Sequence, residues 1–108
     1  MFRPIVILES PYSGDVEANT QYARRCMKDS IVNHGESPFA SHLLYTQCLD
    51  DTVPEERKLG MEAGFAWYQV ADKCVVYTDR GISRGMEAGI QRAKENSVPV
   101  IYRTLSKN

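Results

Sequence analysis

The sequence predicts an α/β fold: a three-layer, flavodoxin- or Rossmann-like parallel sheet of about four strands, in order 2-1-3-4, with helices on both faces. Three observations carry this. Two short runs, Pro4 to Leu8 (PIVIL) and Cys74 to Thr78 (CVVYT), are continuously apolar or β-branched, as in strands covered on both sides. The segments between and after them carry apolar residues at helical spacing. Strands and helices alternate along the chain, which calls for parallel strands joined by helical crossovers.

The first strand ends in a polar, turn-rich segment, Glu9 to Asp15. Asp15 to Asn33 reads as a helix with a stripe of Tyr22, Ala23, Cys26, Met27 and Ile31, and Gly35 as its stop. Ser37 to Ser41 is a short strand that Pro38 confines to a strand start or sheet edge. His42 to Asp51 reads as a helical turn followed by a loop. Thr52 and Glu55 have capping-box spacing, and Pro54 suits a first turn. That helix is expected to reach about Ala71, with Leu59, Ala63, Ala66 and Val70 along one face. After the Cys74 strand, a last helix starts at Ser83 or Arg84 and runs to about Asn96, turning Met86, Gly89, Ile90 and Ala93 inward. Val98 to Tyr102 is the final strand.

At 108 residues, without repeats or linkers, the chain reads as a single domain, 1–108. Hydrophobic residues make up 43% and charged residues 25%, ordinary globular values. A formal net charge of -1 argues against a nucleic acid polymer or an acidic membrane as partner. No apolar run reaches signal-peptide or membrane-span length. Cys26, Cys48 and Cys74, without CxxC spacing, read as reduced core thiols of a cytoplasmic protein. His34 and His42 do not add up to a metal site, so no metal is expected, and chemistry carried by a carboxylate nucleophile would call for no organic cofactor. Leu59, Phe65 and Trp67 offer more apolar surface than one helix of a small domain buries. That suggests a homodimer, or a helix that binds some other partner.

In a 2-1-3-4 sheet, strand order reverses between the first strand and the Cys74 strand, and ligands bind beyond the carboxyl ends there. The two loops that meet at that point are Glu9–Asp15 and Asp79–Gly85. Ser10, Ser13 and Gly14 supply hydroxyls and amides at a helix start, the ingredients of a phosphate cradle, and Tyr12 can stack on a ligand. An ordinary capped turn would look the same. Ser83, Arg84 and Gly85 open the last helix, where free N–H groups favour an anion. Glu87 lies in its first turn, where the helix dipole favours a carboxylate, and could act as a nucleophile; first-turn glutamates are also common for stability alone. Asp51, beside Asp50, and Asp79, at a strand end, are candidate proton donors, or a solvated loop and a turn residue. His42 could reach the cleft from the second strand. Together these point to a small nucleotide-like ligand.

Gly85-Met86-Glu87-Ala88-Gly89, opening a helix after a buried strand, resembles the nucleophile motif of the nucleoside 2-deoxyribosyltransferase superfamily, which includes the 2'-deoxynucleoside 5'-monophosphate N-glycosidases. The SPYSGD and GISRGME segments look like those of a small branch common in bacteria and phages. The resemblance implies an N-glycosidic-bond hydrolase or transferase with Glu87 attacking C1', Asp51 or Asp79 protonating the base, and Ser83, Gly85 and Ser10–Gly14 holding sugar or phosphate. Two departures stand out. Gly81 occupies the position where the transferases carry an aspartate, and Tyr12 lies several residues past the end of the first strand. The same scaffold without catalysis would be a nucleotide sensor or sequestering protein.

Overall fold

A computed structural model describes residues 2–105. Four parallel strands, β1 (Ile5–Glu9), β2 (Ser37–Phe39), β3 (Lys73–Tyr77) and β4 (Val100–Arg103), form one sheet in order β2-β1-β3-β4. Four helices connect them: α1 (Val16–His34), α2 (Ser41–Leu44), α3 (Pro54–Ala66) and α4 (Arg84–Glu95). Short 3-10 turns extend α2 over Tyr45–Gln47 and α3 over Trp67–Gln69. This is the doubly wound α/β architecture.

Side chains alternate across the sheet. Val6 and Leu8 of β1 and Val75 and Tyr77 of β3 pack under α1 with Tyr22 and Cys26. Ile7, Cys74 and Val76 face the opposite layer, where Tyr68, Met86, Ile90 and Ala93 cover them. Both faces of the two central strands are therefore buried, which is why their sequences read as unbroken apolar runs.

The ends of the helices follow local chemistry. Asp15 caps α1, its side chain accepting from Ala18 N–H, and Gly35 ends it at φ 63°, a left-handed conformation glycine adopts without strain. Ser83 caps α4 by accepting from Met86 N–H. At α3 the expectation fails. Its N-cap is Val53, without a side-chain hydrogen bond, because the Thr52 hydroxyl donates to Asp50 instead. The inward face of α3 also differs: Leu59 and Val70 are exposed, whereas Gly64 and Tyr68 are buried. A Cβ on Gly64 would stand 2.9 Å from the Ser41 Cβ, so the missing side chain sets how closely α3 approaches α2. Phe65 packs on the core and Trp67 stacks on Phe39 with centroids 4.7 Å apart, while Leu59 and part of Trp67 stay exposed. In α1, Ile31 is exposed while Asp29 and Ser30 are buried. Cys48 is exposed, unlike Cys26 and Cys74. No helix among the described residues is long and apolar enough to cross a membrane.

A buried polar cluster closes the α1 layer. Glu36, 1% exposed, accepts from Ser30 and is ion-paired to Arg103 and Lys73. Burial would raise its carboxyl pKa, but hydrogen bonds from Arg103, Lys73 and Ser30 bring it down to about 2. The cluster ties the start of β2 to strands β3 and β4.

Candidate functional site

A cleft of about 310 Å³ opens at the carboxyl ends of the strands. That volume suits a small organic ligand. Its floor is the end of β1, Ile7 to Ser10. One wall comes from Phe39, α2 and the turn after it; the other comes from α3 and the start of α4. The position is the switch point of the sheet, where β1 leads left to β2 and the later strands run right.

Of the residues expected at a ligand site, Ser10, Tyr12, Ser13, His42, Ser83, Arg84 and Gly85 line the cleft together; Gly14 does not. Ser10 is buried, and its Oγ shares a 2.7 Å hydrogen bond with His42 Nε2. Burial pushes the His42 pKa down to about 4, so the imidazole is neutral at pH 7. The Tyr12 ring meets the His42 ring edge-on at 6.4 Å. Asp51 also lines the cleft, held by Arg57 at 2.9 Å. Glu56, next to that arginine, accepts from Asp50 N–H and fixes the loop before α3.

The other two expected acidic residues lie elsewhere. Asp79 continues the alternation of Val75 and Tyr77, which places it on the α1 side of the sheet. There it accepts from the Tyr22 hydroxyl (2.7 Å) and from Leu105 N–H (3.0 Å), which binds it to α1 and the segment after β4 rather than to the cleft. Glu87 is exposed and follows Met86, the last cleft-lining residue of α4. The buried stripe of α4 runs through Met86, Gly89, Ile90 and Ala93. Gly81, which stands where the transferases carry an aspartate, has φ 83°, a conformation costly for most side chains.

A second acidic group in the cleft is one the sequence reading passed over. Glu9, the last residue of β1, is half-buried and lines the floor. It accepts a 2.5 Å hydrogen bond from the Tyr68 hydroxyl through Oε2. Desolvation raises its pKa to about 7, against the lowering effect of Tyr68. Room for this pair comes from Gly89: a Cβ there would overlap the Glu9 carboxylate and the Tyr68 hydroxyl. The second glycine of the Gly85–Gly89 motif thus houses a carboxyl from another element. Glu9 does carry a signal in the sequence, as a charged side chain closing an apolar strand. Its parity with Ile7 puts it on the face opposite α1. Tyr68 reads as a packing residue until the strand it faces is known.

Residues 4–103 match a family described as a domain of unknown function, DUF7768, and the chain belongs to that family. No curated protein matches the chain.

Proposed function

We propose that the cleft binds a nucleoside or nucleotide and that the protein acts on its N-glycosidic bond, as a hydrolase or transferase, through a carboxylate nucleophile. The observation that carries the reading is the convergence of Ser10, Tyr12, Ser13, His42, Ser83, Arg84 and Gly85 on one cleft at the switch point. The physical chemistry fits such a ligand. Phe39, Tyr45 and Phe65 give apolar and aromatic walls against which a base can lie. The amides and Arg84 at the start of α4 suit an anionic group such as a phosphate. Glu87, on the first turn of the same helix, is the carboxylate that the resemblance of Gly85–Gly89 assigns to C1'.

The second reading is a nucleotide sensor or sequestering protein on the same scaffold. The exposure of Glu87, beyond the cleft lining, favours it. A thermal-shift screen of nucleosides and 5'-nucleotides, followed by chromatography for free base, separates the two. A ligand at 100 times its dissociation constant stabilises the fold by about 2.7 kcal/mol. The enzyme reading expects a stabilising deoxynucleotide that yields free base, with turnover lost and binding kept in Glu87→Gln. A shift without base leaves the sensor. No shift across the panel refutes both.

A further inference from the structure

We propose that Glu9 is the proton-exchanging group of the cleft, the acid that protonates the departing base, and that Tyr68 is its positioning residue. The inference rests on the N-glycosidic reading above for its substrate, and on the following geometry for its residues. Glu9 stands on the cleft floor at the end of a central strand, so its backbone is fixed by parallel pairing with β3. Oε2 is held by the Tyr68 hydroxyl, while among the described residues no hydrogen bond is made to Oε1. One carboxyl oxygen is thus anchored and the other is open to a ligand. The anchoring requires Gly89, whose missing side chain gives the carboxyl and the phenol their place against α4.

The neighbours leave Glu9 as the group able to exchange a proton near neutrality. His42, across the cleft, is already neutral, with a pKa near 4 from burial. The Cys74 thiol of β3 is pushed up to about 12, by burial first and by Glu9 second. Burial and the Glu9 charge push the Tyr68 phenol far above its usual range, with Arg92 of α4 acting weakly against them. Arg57 is neutralised by Asp51, and Arg84 stands at the exposed start of α4. Glu9 itself lies near 7, so it is partly protonated and partly ionised at physiological pH, as a group that both gives and takes a proton requires.

The step balances. The C1'–N bond breaks with its electron pair remaining on the base nitrogen, which takes the Glu9 proton. Water then bonds to C1' and surrenders a proton to the Glu9 carboxylate. The sum is nucleotide plus water giving free base plus sugar phosphate. A sugar–Glu87 ester that forms and breaks in between does not alter the sum.

The test uses the full chain with 13C-labelled glutamate. The Glu9 carboxyl resonance, assigned by its absence in Glu9→Gln, is titrated by NMR from pH 4 to 9, in wild type and in Tyr68→Phe. Base release from 2'-deoxynucleoside 5'-monophosphates is followed over the same range. The proposal expects Glu9 to titrate near neutrality and base release to fall as pH rises through that value. It expects Glu9→Gln to lose roughly 100-fold or more in rate while keeping the ligand-induced thermal shift. In Tyr68→Phe the loss of a hydrogen bond that favours the ionised form moves both profiles to higher pH, which a purely structural tyrosine would not do. Titration of Glu9 in the ordinary carboxylate range overturns the proposal, as does a wild-type rate in Glu9→Gln. If wild-type protein releases no base, the N-glycosidic reading fails, and the NMR titration alone decides whether Glu9 exchanges protons near neutrality.

Discussion

Replacing Glu9 with glutamine should make the protein more stable at pH 8 and leave it nearly unchanged at pH 4. The magnitude follows from the carboxyl's surroundings. In the unfolded chain it titrates at about 4.5; in the folded protein desolvation lifts it to about 7. Between those values the folded state keeps a proton the unfolded state has lost, so stability falls as pH rises through the window and levels off above it. At about 1.4 kcal/mol per pH unit the full effect is about 3 kcal/mol, reduced somewhat by the solvent that reaches the cleft floor. Glutamine is isosteric and neutral, and its side-chain carbonyl can still accept from Tyr68. The wild-type-minus-variant difference therefore isolates the cost of ionising Glu9. Thermal unfolding at pH 4, 6 and 8 is the assay. The variant should gain roughly 10 °C over wild type at pH 8, at roughly 4 °C per kcal/mol for a domain of this size. A difference that stays constant with pH, or a variant less stable at pH 8, would refute the reasoning that burial rather than hydrogen bonding governs this carboxyl.

The same pair makes a steric prediction. Gly89→Ala gains about 1 kcal/mol of helix propensity but drives a methyl into the Glu9 carboxylate and the Tyr68 hydroxyl; overpacking of this kind costs about 1–3 kcal/mol, so the urea midpoint should fall. Gly85→Ala, where the nearest atom to an added Cβ is Ser83 Oγ at 4.0 Å, should leave the midpoint unchanged or higher. Glu36→Gln leaves Arg103 and Lys73 without their buried partner and should cost about 3–5 kcal/mol at pH 7, read as a lower urea midpoint. Because the folded Glu36 carboxyl lies near 2, its contribution is present above about 4.5 and fades as pH falls toward 2. The penalty should shrink over that interval, and a penalty that does not change down to pH 2 would contradict the ion-pair account.

Strand identity and order were legible because β1 and β3 are covered on both faces, a condition that leaves no choice but apolar residues. The helix stripe of α4 was legible for a related reason: Met86, Gly89, Ile90 and Ala93 face a flat sheet and must follow its spacing. The inner face of α3 was not. It meets α2 through Gly64 and the turn and loop after α2 through Gly60, and a contact made of absent side chains carries no hydrophobic period. Leu59 then reads as core although it is exposed. Thr52 was misread because its hydroxyl has a competing acceptor, Asp50, two residues away, and local side-chain bonds of this kind displace caps. Topology brings Ser10, Tyr12 and Ser13 of the first loop and Ser83 to Gly85 of the second to one cleft, but the distribution of the acids in these loops was not legible. Asp79 belongs with Tyr22 through strand parity, a relation that needs the register of β3 rather than its composition.

That parity also bears on what the Gly85–Gly89 segment is for. Read along the chain, its two glycines flank Glu87 and direct attention to that carboxylate. In space Gly85 lies on the cleft lining, while Gly89 is buried against the Glu9–Tyr68 pair from β1 and the turn after α3. A bare backbone at position 89 is needed to seat Glu9, whatever Glu87 does. Catalytic and binding readings of the motif therefore differ at Glu87 but share Glu9. A protein that used the cleft only for sequestering a ligand would still have to carry a carboxyl whose ionised form is disfavoured by burial. A glutamine would fill the same space and still accept from Tyr68 without the pH-dependent loss of stability, so the Glu9→Gln comparison separates what the proton does from what the packing does.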